Sequence, residues 1–403
     1  MHRTLPVLLL ALVPALASAQ ATDASRALAQ DAVIVDTHID APGMLMDGWM
    51  DLGEEAEGRE FDYPKAHAGG LDVAFMSIYT SPKQDEDDSA WQVANEMIDS
   101  VEALAQRHPD KFALLLSPKD VDSLRKGDRV LLPLGMENGA PIGDDLSNVQ
   151  FFFDRGVRYI TLAHSAANAI ADSSYAIERK WHGLSPFGKQ VVAEMNRLGI
   201  MVDVSHLSDE SAAAAIELST VPVIASHSAF RHFTPDFERN ISDELAKAIA
   251  DGGGVVQIPF GTAFVNPESA ADTQAHFRAI NDFNKRNAEL KAAGKPLESR
   301  AAFNKAWEEA HPPRQTRIDA VLDQVDYAVK LIGIDHVGIG SDFDGVGGEL
   351  PDELRTVADF PNFVAGLQAR GYKDEDIRKI LGGNLLRTWA AIEAGAGGAA
   401  AAP

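Results

Sequence analysis

Residues 33–42 read VIVDTHIDAP, an apolar run that places Asp36, His38 and Asp40 at alternate positions. Alternate side chains of an extended strand share a face, so the spacing predicts an imidazole and two carboxylates on one side of a buried strand. Those groups together bind divalent metals or move protons. The pattern recurs. Other apolar runs end in Glu137 ("LGMENG"), His164 ("TLAHS"), His206 ("VDVSH"), His227 ("VIASHS") and Asp342 ("GIGSDFD"). Each alone is weak. A lone histidine at a strand end is ordinarily structural, Glu137 could cap a helix, and "DFDG" is also turn chemistry. The ensemble is different. Unpaired buried charges cost roughly several kcal/mol each, and a cation shared among them removes that penalty.

The donor types point to the metal. Imidazole with carboxylate and no thiolate suits Zn²⁺ first, with Mn²⁺, Fe²⁺ or Co²⁺ as further fits. His38, Asp40, Glu137, His206 and His227 exceed the three protein ligands of an ordinary catalytic zinc. Two ions about 4 Å apart, bridged by a carboxylate and a hydroxide, use them all. His38 and Asp40 would hold one ion, His206 and His227 the other, and Glu137 would bridge. His164 and Asp342 are left for substrate and proton work.

Residues so far apart in sequence need a fold that gathers them. Eight short apolar, β-branched runs stand out, at 32–40, 71–80, 129–138, 157–165, 200–206, 221–228, 253–260 and 335–344. Between most of them lie amphipathic stretches. Helices are expected over Trp91 to Arg107, 185–199, 208–219 and 242–253, and over 352–370 and 374–393 at the end of the chain. Ser185, Ser208 and Ser242 occupy N-cap positions, and Pro186 follows at the first helical position. Eight strands alternating with helices predict an α/β fold, a (β/α)₈ TIM-type barrel, with functional residues at the C-terminal ends of the strands. An open doubly wound sheet is the alternative, but no Gly-rich phosphate loop follows the first strand. Two segments break the repeat. Residues 41–70 read as a Gly- and charge-rich loop. Residues 266–313 read as a long, charged helical insertion before the last strand: a lid, a contact in a homodimer, or a plain solvated hairpin.

The chain has 403 residues, 45% hydrophobic, and a net charge of −24. It is long enough for one barrel-sized domain, expected over 20–393. An acidic surface repels nucleic acid and anionic lipid, which excludes both as partners. Residues 1–19 have the form of a secretory signal peptide: Arg3, an apolar stretch from Leu5 to Leu16, and "ASA" before the expected cleavage. No later run is long and apolar enough to span a bilayer. The reading is a soluble exported protein, periplasmic in a Gram-negative cell or secreted. The sequence contains no Cys, so disulfides are excluded. Residues 394–403 are low-complexity and read as a disordered tail.

Taken together, "DTHIDAP", "GMENG", "RGVRYITLAHSAANAIADSS", "GLSPFGKQVVAEMNRLGIMVDVSHLS", "PVIASHSAFR", "RNISDE" and "HVGIGSDFDGV" resemble the membrane dipeptidase (renal dipeptidase) family of zinc peptidases. "ILGGNLLRTW" fits the family's last helix, and the likeness covers most of residues 31–391 in order. The resemblance implies the same assignment of His38, Asp40, Glu137, His206 and His227 to two Zn²⁺ ions. It also implies that His164 polarises the substrate, that Arg239 binds its C-terminal carboxylate, and that Asp342 is the acid–base aspartate. The expected reaction is hydrolysis of dipeptides, including those with a D-residue at the C-terminal position, by a water or hydroxide bridging the ions. The vertebrate members carry disulfides and a C-terminal lipid-anchor signal, and this chain has neither a Cys nor an apolar tail. Where some members place a tyrosine near the substrate, this chain reads "IPFGTAF". Other hydrolases on the same barrel (lactonases, deaminases, N-acyl-amino-acid hydrolases) often bridge their metals with a carboxylated lysine. Here Glu137 holds that position. A non-catalytic metal- or solute-binding protein would have no need of Asp342.

Overall fold

The computed structural model describes residues 20–397. Ten strands form one all-parallel sheet: β1 Ile34–Ile39, β2 Leu71–Tyr79, β3 Phe112–Leu114, β4 Val130–Leu132, β5 Leu134–Glu137, β6 Val157–Thr161, β7 Met201–Asp203, β8 Ile224–Ala225, β9 Val255–Ile258 and β10 Val337–Ile339. Eight of them close into a ring, β1-β2-β5-β6-β7-β8-β9-β10, sealed where Asp36 pairs with Ile339 and Ile34 with Leu71. This is the expected (β/α)₈ barrel.

The difference from eight runs lies at 129–138. Pro133 has no N–H for the ladder, so the run divides there. β4 leans on β2 outside the ring and carries β3, which the sequence reading missed, while β5 continues within the ring. The segment 41–70, expected as loop, contains two short helices, Ala41–Asp47 and Tyr63–Gly69. Each has a proline within its first two residues, where the missing N–H is harmless.

The expected caps are in place. Ser185, Ser208 and Ser242 accept hydrogen bonds from the amides of Gly188, Ser211 and Leu245, opening Pro186–Leu198, Asp209–Leu218 and Asp243–Asp251. Their apolar faces cover the outside of the ring. Inside the ring Val35, Val73, Phe75, Tyr159, Met201 and Val255 pack together, and Leu385, Trp389 and Ile392 join them from the last helix, Asn384–Gly395. Ahead of that helix a π turn, Lys379–Gly383, kinks the chain at Gly382. A Cβ on Gly382 would strike the Val33 carbonyl and the Val35 side chain, so helix and strand meet this closely only with glycine.

The insertion is a helical hairpin, Pro267–Ala292 and Arg300–Ala310, between β9 and β10. The last helix runs two residues into the segment read as tail, and residues 398–403 lie outside the described residues. So do residues 1–19, the expected signal peptide. Among the described residues no helix is long and apolar enough to cross a membrane.

Candidate metal centre

Every strand-end residue singled out above comes to the C-terminal mouth of the ring. Glu137 ends β5, and both its oxygens face imidazoles. Oε1 lies 3.3 Å from His164 Nε2, 3.1 Å from His206 Nε2 and 3.4 Å from His227 Nε2. Oε2 lies 3.5 Å from His38 Nε2, which is itself 3.4 Å from Asp40 Oδ2. Three overlapping sets have donors within 4.8 Å of one another: His38, Glu137 and His227; Glu137, His164 and His206; His38, Asp40 and Asp342. His164 thus stands as close to Glu137 as the histidines expected to be ligands, and Asp342 stands beside Asp40.

Asp36 does not join them. Its carboxylate accepts the amides of His38 and Ser341 and the Ser341 hydroxyl, which ties β1 to the end of β10. The register of β1 against β2 shifts between Asp36 and Ile39, and this irregularity breaks the simple alternation. Burial pushes the Asp36 carboxyl up to about 6.

The histidines are oriented from behind. Nδ1 of His38 meets the Tyr159 hydroxyl at 2.7 Å. Nδ1 of His227 meets Ser226 Oγ at 2.7 Å, and that hydroxyl donates to Asp203 Oδ2. Asp203 also accepts from Thr161 Oγ1 and from the amides of Ser205 and Ser226. Ser77 donates to Glu137 Oε2. The sequence reading did not single out Tyr159, Ser77 or Asp203, although Ser226 was visible in "ASHS". Room is made at two glycines. A Cβ on Gly135 would enter the Tyr159 ring, and one on Gly345 would collide with the carboxylates of Asp40 and Asp342.

The electrostatics of Glu137, His164, His206 and His227 suit metal donors. Burial favours the protonated form of Glu137, but His164, His38 and the bonds from His206 and His227 hold its carboxyl well below the usual range. Burial, reinforced by the Arg239 charge at His206 and by His38 at His227, holds both imidazoles well below their ordinary value. Burial lowers His164 as well. A neutral imidazole offers a lone pair, which is what a cation binds. His38 goes the other way: burial opposes its charge, but Tyr159, Asp40 and Glu137 carry it well above the usual value. Burial and the adjacent Asp40 push Asp342 well above the carboxylate range. His38 Nε2 is buried without a hydrogen-bond partner among the described residues. His206 and His227 turn their Nε2 atoms to face each other at 2.8 Å. Such converging nitrogens around a carboxylate fit divalent cations.

Arg239 is 3% exposed. It donates to the His227 carbonyl and Ser228 Oγ, and its Nη2 lies 3.0 Å from His206 Nε2. The Phe264 ring covers the guanidinium at 4.8 Å, while Nε has no partner among the described residues. The cluster opens into a cavity of about 530 Å³. Met44, Met46, Met97, Tyr175, Phe264 and Phe277 supply apolar lining. Arg239 lines a neighbouring cavity of about 300 Å³.

A closed parallel barrel with buried imidazoles and carboxylates at its C-terminal mouth defines the class of (β/α)₈ metal-dependent hydrolases. The chain belongs to the membrane dipeptidase family, peptidase family M19, whose model matches residues 22–402, and it is a metallo-dipeptidase by that membership. It is 27% identical over 339 residues to dipeptidase tcpJ of Claviceps purpurea, covering 82% of this chain and 69% of that protein. It is also 27% identical over 376 residues to dipeptidase 3 of Mus musculus, covering 91% of this chain and 66% of that protein. It thus spans about two thirds of the length of these relatives. Among solved structures, the probable dipeptidase PvdM from Pseudomonas aeruginosa superposes with a TM-score of 0.78 at 27% identity, over 93% of this chain and 98% of that one. A metallo peptidase from Rhodobacter sphaeroides, liganded with a phosphinate mimic of the dipeptide L-Ala-D-Ala, shares the fold at a TM-score of 0.72 and 23% identity, over 90% and 99%.

Proposed function

We propose that this protein cleaves the peptide bond of dipeptides, L-Xaa-D-Xaa among them, with two divalent cations, Zn²⁺ in the first instance. His38 and Asp40 would hold one cation, His206 and His227 the other, and Glu137 would face both. The observation that carries the reading is Glu137, with imidazole nitrogens ranged about both of its oxygens. Bound there, the cations supply Lewis acidity toward water and the scissile carbonyl.

The chain's own groups do the rest. Asp342, beside His38 and Asp40, takes a proton from the attacking water as its oxygen bonds to the carbonyl carbon. It returns that proton to the amine nitrogen as the C–N bond breaks. His164, neutral and beside Glu137, carries one ring N–H to donate to the carbonyl oxygen as negative charge gathers there. Arg239 offers a buried guanidinium to the substrate carboxylate. A free carboxylate one residue beyond the scissile bond means a dipeptide, so a tripeptide places its terminus out of reach.

Residues 1–19 support export, to the periplasm in a Gram-negative cell, and salvage of extracellular or wall-derived dipeptides would suit that location. The test is an assay of the purified protein, stripped with a chelator and reloaded with Zn²⁺, on L-Ala-L-Ala, L-Ala-D-Ala and a tripeptide. Hydrolysis of the dipeptides only, lost on chelation and restored by metal, is expected. Equal turnover of the tripeptide, or full activity after exhaustive chelation, would sink the reading.

A further inference from the structure

Tyr175 and Phe277 come from different parts of the chain and lie face to face. Their ring centroids are 3.8 Å apart and their planes 20° from parallel. Tyr175 belongs to the loop after β6, and Phe277 to the long helix of the insertion. Both rings line the catalytic cavity, and both also line the smaller cavity that holds Arg239. The stacked pair is therefore a shared wall between the two spaces. Behind it stand Arg179, Arg278 and Gln274, with Asp236 and Glu238 as counter-charges, while Arg239 reaches from that space to the cluster, its Nη2 3.0 Å from His206 Nε2.

The two rings are not held alike. Tyr175 sits within 6.2 Å of Phe237 and 6.1 Å of His206, centroid to centroid, against the barrel mouth. Phe277 is half-buried, on a 26-residue helix whose fully buried residues are Ser269, Ala270 and Phe283. On its other side His276 stacks on Trp307 of the second insertion helix. Phe277 is thus a surface-mounted ring reaching into the pocket, and its removal takes no core residue from the barrel.

We propose that the Tyr175–Phe277 wall sets the size limit for the substrate's C-terminal side chain, making the insertion a specificity element. The inference rests on the dipeptidase reading above. With the carboxylate of the substrate drawn to Arg239, the adjoining side chain meets this wall. Small residues fit in front of it. A large one needs the space that the phenyl ring fills, and an anionic one needs passage to the arginines behind. Truncating the ring joins the two cavities, while the metal ligands, Asp342 and His164 keep their places.

The experiment compares kcat/KM for Ala-Ala, Ala-Trp and Ala-Glu in the wild-type holoenzyme, Phe277→Ala and Phe277→Leu. The expected result is a rise of about tenfold in the Ala-Trp to Ala-Ala ratio for Phe277→Ala, with a smaller rise for Phe277→Leu and a parallel rise for Ala-Glu. Bound metal, measured alongside, should equal that of the wild type. Unchanged ratios in variants that still turn over Ala-Ala would overturn the assignment of Phe277 and leave the dipeptidase reading standing. A wild type inactive on every dipeptide would overturn both.

Discussion

The phenolic oxygen of Tyr159 lies 2.7 Å from Nδ1 of His38, while Nε2 of the same ring faces Glu137 and Asp40. The contact fixes which nitrogen is turned to the cluster, because an imidazole held at one nitrogen presents the other. Metal-binding histidines generally depend on such a partner, and its loss weakens binding about 10- to 100-fold. Tyr159→Phe keeps the ring that fills the barrel interior and removes only the oxygen. We expect metal affinity to fall by about that factor with the fold intact, read by competition against a chromophoric chelator. An unchanged affinity would show that His38 needs no support from Tyr159.

Asp342→Asn preserves shape and removes the proton acceptor. kcat on a dipeptide should fall about 10²- to 10⁴-fold, while metal content by atomic emission stays the same. A variant that loses metal in step with activity would instead make Asp342 a ligand, a role its place beside His38 and Asp40 also permits.

Gly345 has no room for a methyl group, because a Cβ would meet the carboxylates of Asp40 and Asp342. Its φ lies outside the left-handed region that favours glycine, so Gly345→Ala tests space and not backbone strain. Displacing a catalytic carboxylate by about 1 Å costs about 10²-fold in rate. We expect that loss together with weakened metal binding, at a melting temperature close to wild type. Full activity would mean that the two carboxylates can move apart freely.

Glu60 gives a pH dependence. Its Oε2 accepts the Asp344 amide, and the Asp344 carboxylate accepts the amides of Glu60 and Phe61. Burial, with the Asp344 charge adding to it, pushes the Glu60 carboxyl from 4.5 to about 7. The folded state therefore holds a proton that the unfolded state has already released. Stability falls as pH rises from about 4.5 to about 7 and is level above, with a slope of at most about 1.4 kcal/mol per pH unit. Glu60→Gln should flatten that segment of the curve when urea midpoints are compared at pH 5 and pH 8. An unaltered difference between the two would refute the assignment.

The ring was legible in the sequence because each of its strands is a short apolar run with turn or helix chemistry on either side. The centre was legible for a related reason. A barrel brings strand ends together, so His38, Glu137, His206 and Asp342 could be placed in one pocket without a contact map. The details that escaped depend on neighbours remote in sequence. Asp36 has the spacing of a ligand, yet Ser341 engages it from across the seam of the ring. The run 129–138 reads as one strand with Pro133 inside it, and only the pairing of β2 with the residues on both sides of the proline shows that two strands are present. Tyr159 reads as an ordinary core aromatic until His38 is found at its hydroxyl. Phe277 lies in a charged helix with little periodic signal, and its function comes from where that helix lands.

The donors at the mouth of the ring come from β1 and β5 and from segments just past β1, β6, β7, β8 and β10, positions 38 to 342 of the chain. No fragment owns a complete set. With His38 and Asp40 on one cation, His206 and His227 on the other and Glu137 facing both, as proposed, bound metal would fasten residues spread from 38 to 227 to one another.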